Sequence, residues 1–393
     1  MSDVRLIFSV QAVRAFLYGF SSILIGASLA AGGLDELAVG AVFTAMLLGM
    51  ALSSLAVGRW GERLGRRRSY LGLLGLMGVA GAVFALTSSL PLLILVALTG
   101  TLSTDPNESG PVTSTEQAML AAQPTQERSR VYGRYNAIAY LTGAAGALAA
   151  GGPAALRDVL PGLPPDQRWL LVMPLGAVVC LVLAARLSAR VEVDPGLPPD
   201  QRGLRRSTGV VRRLAGLFAL DAFAGGFIVQ TFLVFWFGRQ FGADAGSMGL
   251  VFFGVGLLQA ASSILAGWLG ARIGLLNTMV FTHLPSNVLL ALVPLAPSLG
   301  PAIALLLARS ALSQMDVPAR QAYVAALVDP AERVAAAGYT NAARYLVRPA
   351  GPVLASISMG MLSATPFLLA GGLKVVYDLA LYFTFRRVPM PDR

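Results

Sequence analysis

Apolar stretches alternate with short polar breaks along the whole chain, at residues 6–31, 37–57, 69–88, 91–122, 131–152, 169–187, 214–237, 245–269, 275–296, 299–326, 336–361 and 366–385. One bilayer crossing needs about 20 mostly apolar residues, and most of these stretches are that long. In lipid only a helix or a closed barrel satisfies every backbone hydrogen bond, and uninterrupted apolar runs without two-residue alternation predict helices. The pattern predicts an all-α membrane protein with twelve transmembrane helices. The first stretch carries Ala27-Ser28-Leu29-Ala30, which has the form of a signal cleavage site. Its length and the internal Arg14 predict that it is kept as the first helix.

Composition agrees with this pattern. Of the 393 residues 55% are hydrophobic and 13% charged, about half the charge of a soluble domain, which excludes a disordered chain and disfavours a water-soluble enzyme. The net charge is +10 and Lys374 is the only lysine. A basic balance can mark a nucleic-acid binder, but here the arginines sit in short loops between apolar stretches, as cytoplasmic loops do. Arg59, Arg63, Arg66, Arg67 and Arg68 follow the second stretch, and Arg186, Arg190, Arg202, Arg205, Arg206, Arg212 and Arg213 follow the sixth; the alternate loops hold only Arg157, Arg168 and Arg239. Both termini are therefore expected in the cytoplasm, in a cell (plasma or inner) membrane. A single cysteine, Cys180, and a single histidine, His283, leave no disulfide framework and no Cys/His metal site. With no Walker loop, no Ser/His/Asp set and no soluble domain, no enzyme activity, cofactor or metal is expected.

The chain also repeats itself. Residues 51–65 align without gaps on 260–274, so that Gly58 falls on Gly267, Arg63 on Arg272 and Gly65 on Gly274. Asp35 falls on Asp244, residues 15–20 on 222–227, and Gln117 on Gln321, in the same order at offsets of 204 to 209. This divides the chain into an N-terminal six-helix bundle (1–187), a proline-containing linker (188–213) and a C-terminal six-helix bundle (214–393). Two bundles related by an axis along the membrane normal are a transporter architecture, with one site between two moving parts.

Against that background the loop Gly58-Arg59-Trp60-Gly61-Glu62-Arg63-Leu64-Gly65-Arg66-Arg67-Arg68 resembles the signature loop of the major facilitator superfamily. Gly58, Glu62, Arg63, Gly65, Arg66 and Arg67 occupy its places, with glutamate where the family usually carries aspartate. The resemblance extends to bacterial small-molecule exporters of the family. It implies a major facilitator fold, a gate formed by this loop, a cavity lined by the first, fourth, seventh and tenth helices, and alternating access by a monomer. A loop that fixes topology alone is the competing reading of Arg66, Arg67 and Arg68.

Ionisable residues at membrane depth are costly and are therefore functional candidates. Arg14, Asp105, Glu108, Asp221, Arg309 and Asp316 are the expected substrate and proton site; Glu116, Arg320, Arg344, Arg348 and His283 form a second tier. Asp105-Pro106 and Asp316-Val317-Pro318 predict breaks in the fourth and tenth helices. The repeat places Arg14 on Asp221, Asp105 on Arg309 and Glu116 on Arg320, opposite charges at equivalent positions, and ion pairs between the halves are one expectation and local pairs the other. Lys374 and Asp378, four apart on the last helix, are expected to neutralise each other. The candidate carboxylates and arginines of the first tier sum to a small negative charge, which favours cationic or neutral cargo; Arg344 and Arg348 argue for an anionic group. Small-molecule substrate, protons and membrane lipids are the expected partners, with no nucleic acid. The function expected is proton-coupled efflux of a small organic molecule by a secondary active transporter; the alternatives are a proton-coupled importer or uniporter of a small solute, anionic ones included, and a non-transporting membrane receptor.

Overall fold

A computed structural model describes residues 2–105, 110–120, 125–192, 206–329 and 332–388. Among the described residues the regular structure is helical: α1 (Asp3–Ala31), α2 (Glu36–Leu64), α3 (Arg66–Leu86), α4 (Leu90–Ala97), α5 (Pro111–Leu120), α6 (Thr125–Ala149), α7 (Gly152–Val159), α8 (Val172–Ala184), α9 (Thr208–Gly226), α10 (Gln230–Phe241), α11 (Ala245–Ile273), α12 (Leu275–Leu292), α13 (Leu299–Ser313), α14 (Asp316–Leu327), α15 (Arg333–Val347), α16 (Ala350–Met361) and α17 (Thr365–Phe385). Eight segments among these residues are long and apolar enough to cross a membrane. Other expected crossings are built from two helices end to end: α4 with α5, α13 with α14, and α15 with α16. Exposed leucines, isoleucines and valines such as Ile264, Leu175 and Leu55 lie on the outer helix faces, as lipid-facing side chains must.

The repeat is visible atom by atom. Asp35 caps α2 by accepting the Ala38 N–H at 2.7 Å, and Asp244 caps α11 by accepting the Ser247 N–H at 2.7 Å. That hydrogen bond holds the Asp244 carboxyl below its usual range. Gly65 before α3 and Gly274 before α12 have φ of +88° and +87°, a conformation that side-chain-bearing residues rarely adopt. Gly19 of α1 presses on the Gly143 carbonyl of α6, and its repeat counterpart Gly226 presses on Gly351 of α16 and the Arg348 carbonyl. A Cβ at either glycine would overlap backbone, so only glycine permits the crossing.

Contacts divide the chain into two compact units. The first comprises residues 1–197 and 229–256, the second 198–228 and 257–393. In the first, α1 packs on α6, α8 and α10, and α3 on α8. In the second, α9 packs on α15 and α17, and α12 on α17, α13 and α14; Phe218, Tyr323, Tyr377 and Leu381 fill its core. Residues 229–256 thus group with the first unit, although they follow the linker. The reason is local. The α9 helix ends at Gly226, and α10 buries Phe232, Phe235, Trp236 and Phe237 completely. Beside them Gln230 donates to the Ser22 hydroxyl at 2.8 Å, and the Thr231 N–H donates to the Thr104 carbonyl at 3.2 Å.

Candidate functional site

Among the described residues each unit holds a buried ionic cluster. In the first, Arg14 of α1 donates to Glu116 of α5 at 2.6 Å, with side-chain exposures of 2% and 0%. Gln11 accepts from the same guanidinium, one turn away on α1. Glu116 also receives the hydroxyls of Tyr70 (2.6 Å, from α3) and Tyr135 (from α6). One carboxylate thus gathers donors from three helices. A buried charge is tolerated only when paired and hydrogen-bonded in this way.

Beside the pair lies a small cavity of about 10 Å³, room for about one water, lined by Arg14, Tyr18, Met50, Gly100, Ser103 and Pro111 among others. It exists because the expected fourth helix is interrupted. The α4 helix stops at Ala97, Gly100 turns with φ of +70° against Gly49, and helix resumes only at Pro111. The sequence predicts this break from its prolines, and the structure opens it earlier than they do. Exposed backbone at membrane depth must line a cavity or be covered by protein. Here Tyr18 donates to the Thr101 carbonyl at 2.9 Å, and Ser103 to the Asp105 carbonyl at 2.6 Å. Asp105 lies half-buried on this stretch. Glu108 lies outside the described residues.

In the second unit Asp221 of α9 is the centre. Its Oδ1 accepts from Lys374 Nζ of α17 at 2.6 Å, and its Oδ2 from Arg344 of α15 at 3.0 Å and Arg320 of α14 at 3.4 Å. Arg320 also reaches Asp316, one turn earlier on α14, at 3.1 Å. His283 of α12 places Nδ1 2.8 Å from Asp378 Oδ1 and Nε2 3.9 Å from Asp221 Oδ1. Asn287 donates to Asp378 Oδ2 at 2.9 Å.

Several sequence expectations meet a different arrangement here. Arg14 and Asp221 each find a partner inside their own unit, so the local alternative describes the pairs seen. Those pairs are themselves related by the repeat: Arg14–Glu116 and Asp221–Arg320 occupy equivalent positions with the sign reversed. Lys374 and Asp378 do not neutralise each other; both are buried, and each turns to a residue remote in sequence, Asp221 and His283. The second-tier residues Glu116, Arg320, Arg344 and His283 prove to be central to the clusters. Arg309 is half-buried on α13, where its carbonyl accepts from Ser286 at 3.3 Å, and Arg348 sits where α15 gives way to α16. Gln11, Tyr18, Tyr70, Tyr135 and Asn287 escape sequence reasoning. An uncharged polar residue in an apolar helix carries no signal of its own; only the i, i+4 spacing of His283 and Asn287 hinted at a shared face.

At the loop after α2, Arg66 and Arg67 are engaged. The Glu192 carboxylate accepts the N–H groups of Arg66 (2.6 Å) and Arg67 (3.2 Å), capping α3 where the helix dipole favours an anion. The Arg66 side chain reaches the Ala118 carbonyl at 3.3 Å, and the Arg67 side chain the Ala185 carbonyl. Gly58 lies in α2 with open space around it. The side chains of Glu62 and Arg63 lie outside the described residues.

The family model described as Major Facilitator Superfamily matches residues 7–239, more than half of the chain. The chain belongs to the Major Facilitator Superfamily. It is 24% identical over 427 residues to an uncharacterized membrane protein of Saccharomyces cerevisiae, covering 98% of this chain and 94% of the relative. The nucleoside transporter NupG has a similar structure, with a TM-score of 0.72 at 13% identity over 98% of this chain and 100% of the other. The inward-open xylose transporter XylE from E. coli gives 0.72 at 15% identity over 99% and 97%. This chain shares the fold of these superfamily members, and is a multi-pass membrane protein of the transporter class.

Proposed function

We propose that the chain is a secondary active transporter that moves a small organic molecule by alternating access, coupled to protons. One observation carries the reading: each unit keeps a buried ionic cluster at the same repeat position. Burying charges costs several kcal/mol per ion before pairing, and at membrane depth such residues mark ion and substrate pathways. A receptor without transport has no need for the same costly arrangement twice. The chain acts as a monomer in a cell membrane with both termini in the cytoplasm, and the loop from Gly58 to Arg68 forms its gate.

The exporter-like resemblance implies exchange of outgoing solute for incoming protons. A second reading, uptake of an anionic solute together with protons, is favoured by the convergence of three basic side chains on Asp221. Both are tested in proteoliposomes containing a pH-sensitive dye. Addition of a transported solute outside acidifies the lumen under symport and alkalinises it under antiport. A panel of anionic, neutral and cationic solutes that moves no protons under any imposed gradient or potential would remove the proton-coupled reading.

A further inference from the structure

One outer face of the second unit ends in unbalanced positive charge. On α17 the exposed residues Val376, Leu379 and Phe383 recur at spacings of three and four, which sets them in one stripe along the helix. The next position of that stripe is Arg386, where the helix ends. Apolar side chains exposed in this register face hydrocarbon, and a charged side chain at the end of the run stands at the headgroup level.

Two rings hold that arginine in place. Its Cζ lies 4.9 Å from the centroid of Phe383 and 5.9 Å from that of Tyr382, within the range of a cation–π contact. The Tyr382 ring meets Phe383 at 5.7 Å and, edge-on, Phe281 of α12 at 5.5 Å. Phe281 and Phe383 are 55% and 59% exposed. Two packed helices thus build an aromatic shelf at the lipid-facing surface, and the guanidinium rests on it.

The charge on this shelf has no acid to balance it. Arg387, next in the chain, is exposed as well. Val211 and Leu214 of α9 share a buried core with Phe385 of α17, and between them lie the exposed Arg212 and Arg213. Among the described residues no carboxylate bridges any of these four arginines, whereas Arg157, Arg206 and Arg239 each have one, in Asp166, Asp329 and Glu36. Arginine's planar fork matches the oxygens of a phosphate, and basic clusters at a membrane surface attract anionic lipid.

We infer that this face binds an anionic phospholipid, with the phosphodiester on Arg386 and Arg387 and an acyl chain along Val376, Leu379 and Phe383. Charge complementarity selects an anionic headgroup over a zwitterionic one, and Arg386 already lies over the rings on which a choline would stack. The apolar stripe selects a lipid over a soluble phosphate. The surface is separate from the buried ionic clusters, and the inference does not depend on what the chain transports.

The test is native mass spectrometry of the purified full-length chain in detergent, titrated with phosphatidylglycerol or phosphatidylcholine. A saturable first adduct is expected with phosphatidylglycerol, at least about fivefold tighter than with phosphatidylcholine, which is what one basic side chain contributes at an anionic surface. Arg386→Gln is expected to remove that preference and leave phosphatidylcholine unchanged. Phe383→Ala, which takes away the nearer ring, is expected to weaken phosphatidylglycerol about two- to fivefold. Arg134→Gln, at an exposed arginine of α6 in the first unit, is the control and is expected to keep the wild-type affinity. The proposal is overturned if the two lipids bind alike, or if Arg386→Gln retains the wild-type preference. It is overturned equally if Arg134→Gln loses as much as Arg386→Gln, since the attraction is then diffuse. Glycerol 3-phosphate binding as tightly as the lipid, or a dimer forming in place of the lipid adduct, assigns the face to another occupant and also overturns it. Should Arg386→Gln not fold, Phe383→Ala decides: an unchanged affinity for phosphatidylglycerol overturns the site.

Discussion

Glu116 has no exposed surface and is held by Arg14, Tyr70 and Tyr135. Removing its charge leaves a guanidinium buried without a counter-ion. Glu116→Gln is therefore expected to destabilise the protein by about 3–5 kcal/mol, whereas apolar residues at both positions, Arg14→Leu with Glu116→Leu, cost clearly less. Thermal melting of the solubilised variants measures both. The second unit adds a sharper expectation, because there the equivalent pair runs the other way, with the carboxylate at the position of Arg14 and the guanidinium at that of Glu116. The scaffold thus accommodates both polarities. Arg14→Glu and Glu116→Arg are each expected to prevent a monodisperse protein, and the double reversal to recover it on size exclusion. A double variant no better than the singles would show that the surrounding Gln11, Tyr70 and Tyr135 fix the polarity.

At the scale of helices, two backbone crossings, one in each unit, bring a pair of helices together. Gly19 against Gly143, and Gly226 against Gly351, leave no room for a side chain. Gly19→Leu or Gly226→Leu is expected to cost at least about 1–3 kcal/mol as α1 is levered off α6, or α9 off α16. Gly72→Leu on α3, where nothing lies within reach, is the control that stays near the wild-type Tm; equal losses at all three would refute the crossing argument. Much at this scale was legible in the sequence. The break in the fourth helix follows from its prolines, and the repeat pairs Asp35 with Asp244 and Gly65 with Gly274, which prove to be matching helix caps and positive-φ turns. Other features were not. The interruption between α9 and α10 contains no proline, and its position follows from where the α10 aromatics find a surface to bury against. Lys374 and Asp378 satisfy a local i, i+4 rule, but burial aims them at Asp221 and His283, 153 and 95 residues away. Local spacing carries no information about such partners.

For the molecule as a whole the sequence carries its orientation most directly, through arginines that resist transfer across the membrane. Arg59, Arg66, Arg67 and Arg68 flank the turn between α2 and α3, and Arg212 and Arg213 stand at the start of α9, whereas the last turn of α7 and its connection to α8 have only Arg157 and Arg168. Arg157 is moreover neutralised by Asp166 at 2.5 Å, so the sparse loop is poorer in free positive charge than its count suggests. The single cysteine makes this testable without rebuilding the protein. Cys180 is buried in α8, and single new cysteines can be read against its silence. A membrane-impermeant maleimide applied to intact cells is expected to label Leu160→Cys, which is exposed between α7 and α8. Arg68→Cys, exposed at the start of α3, is expected to react only after the membrane is opened. The reverse pattern would place the arginine-rich loops outside, and with them the loop from Gly58 to Arg68. A gate on that side would close against the exterior, so the assignment of direction to any measured proton flux depends on this labelling as much as on the flux.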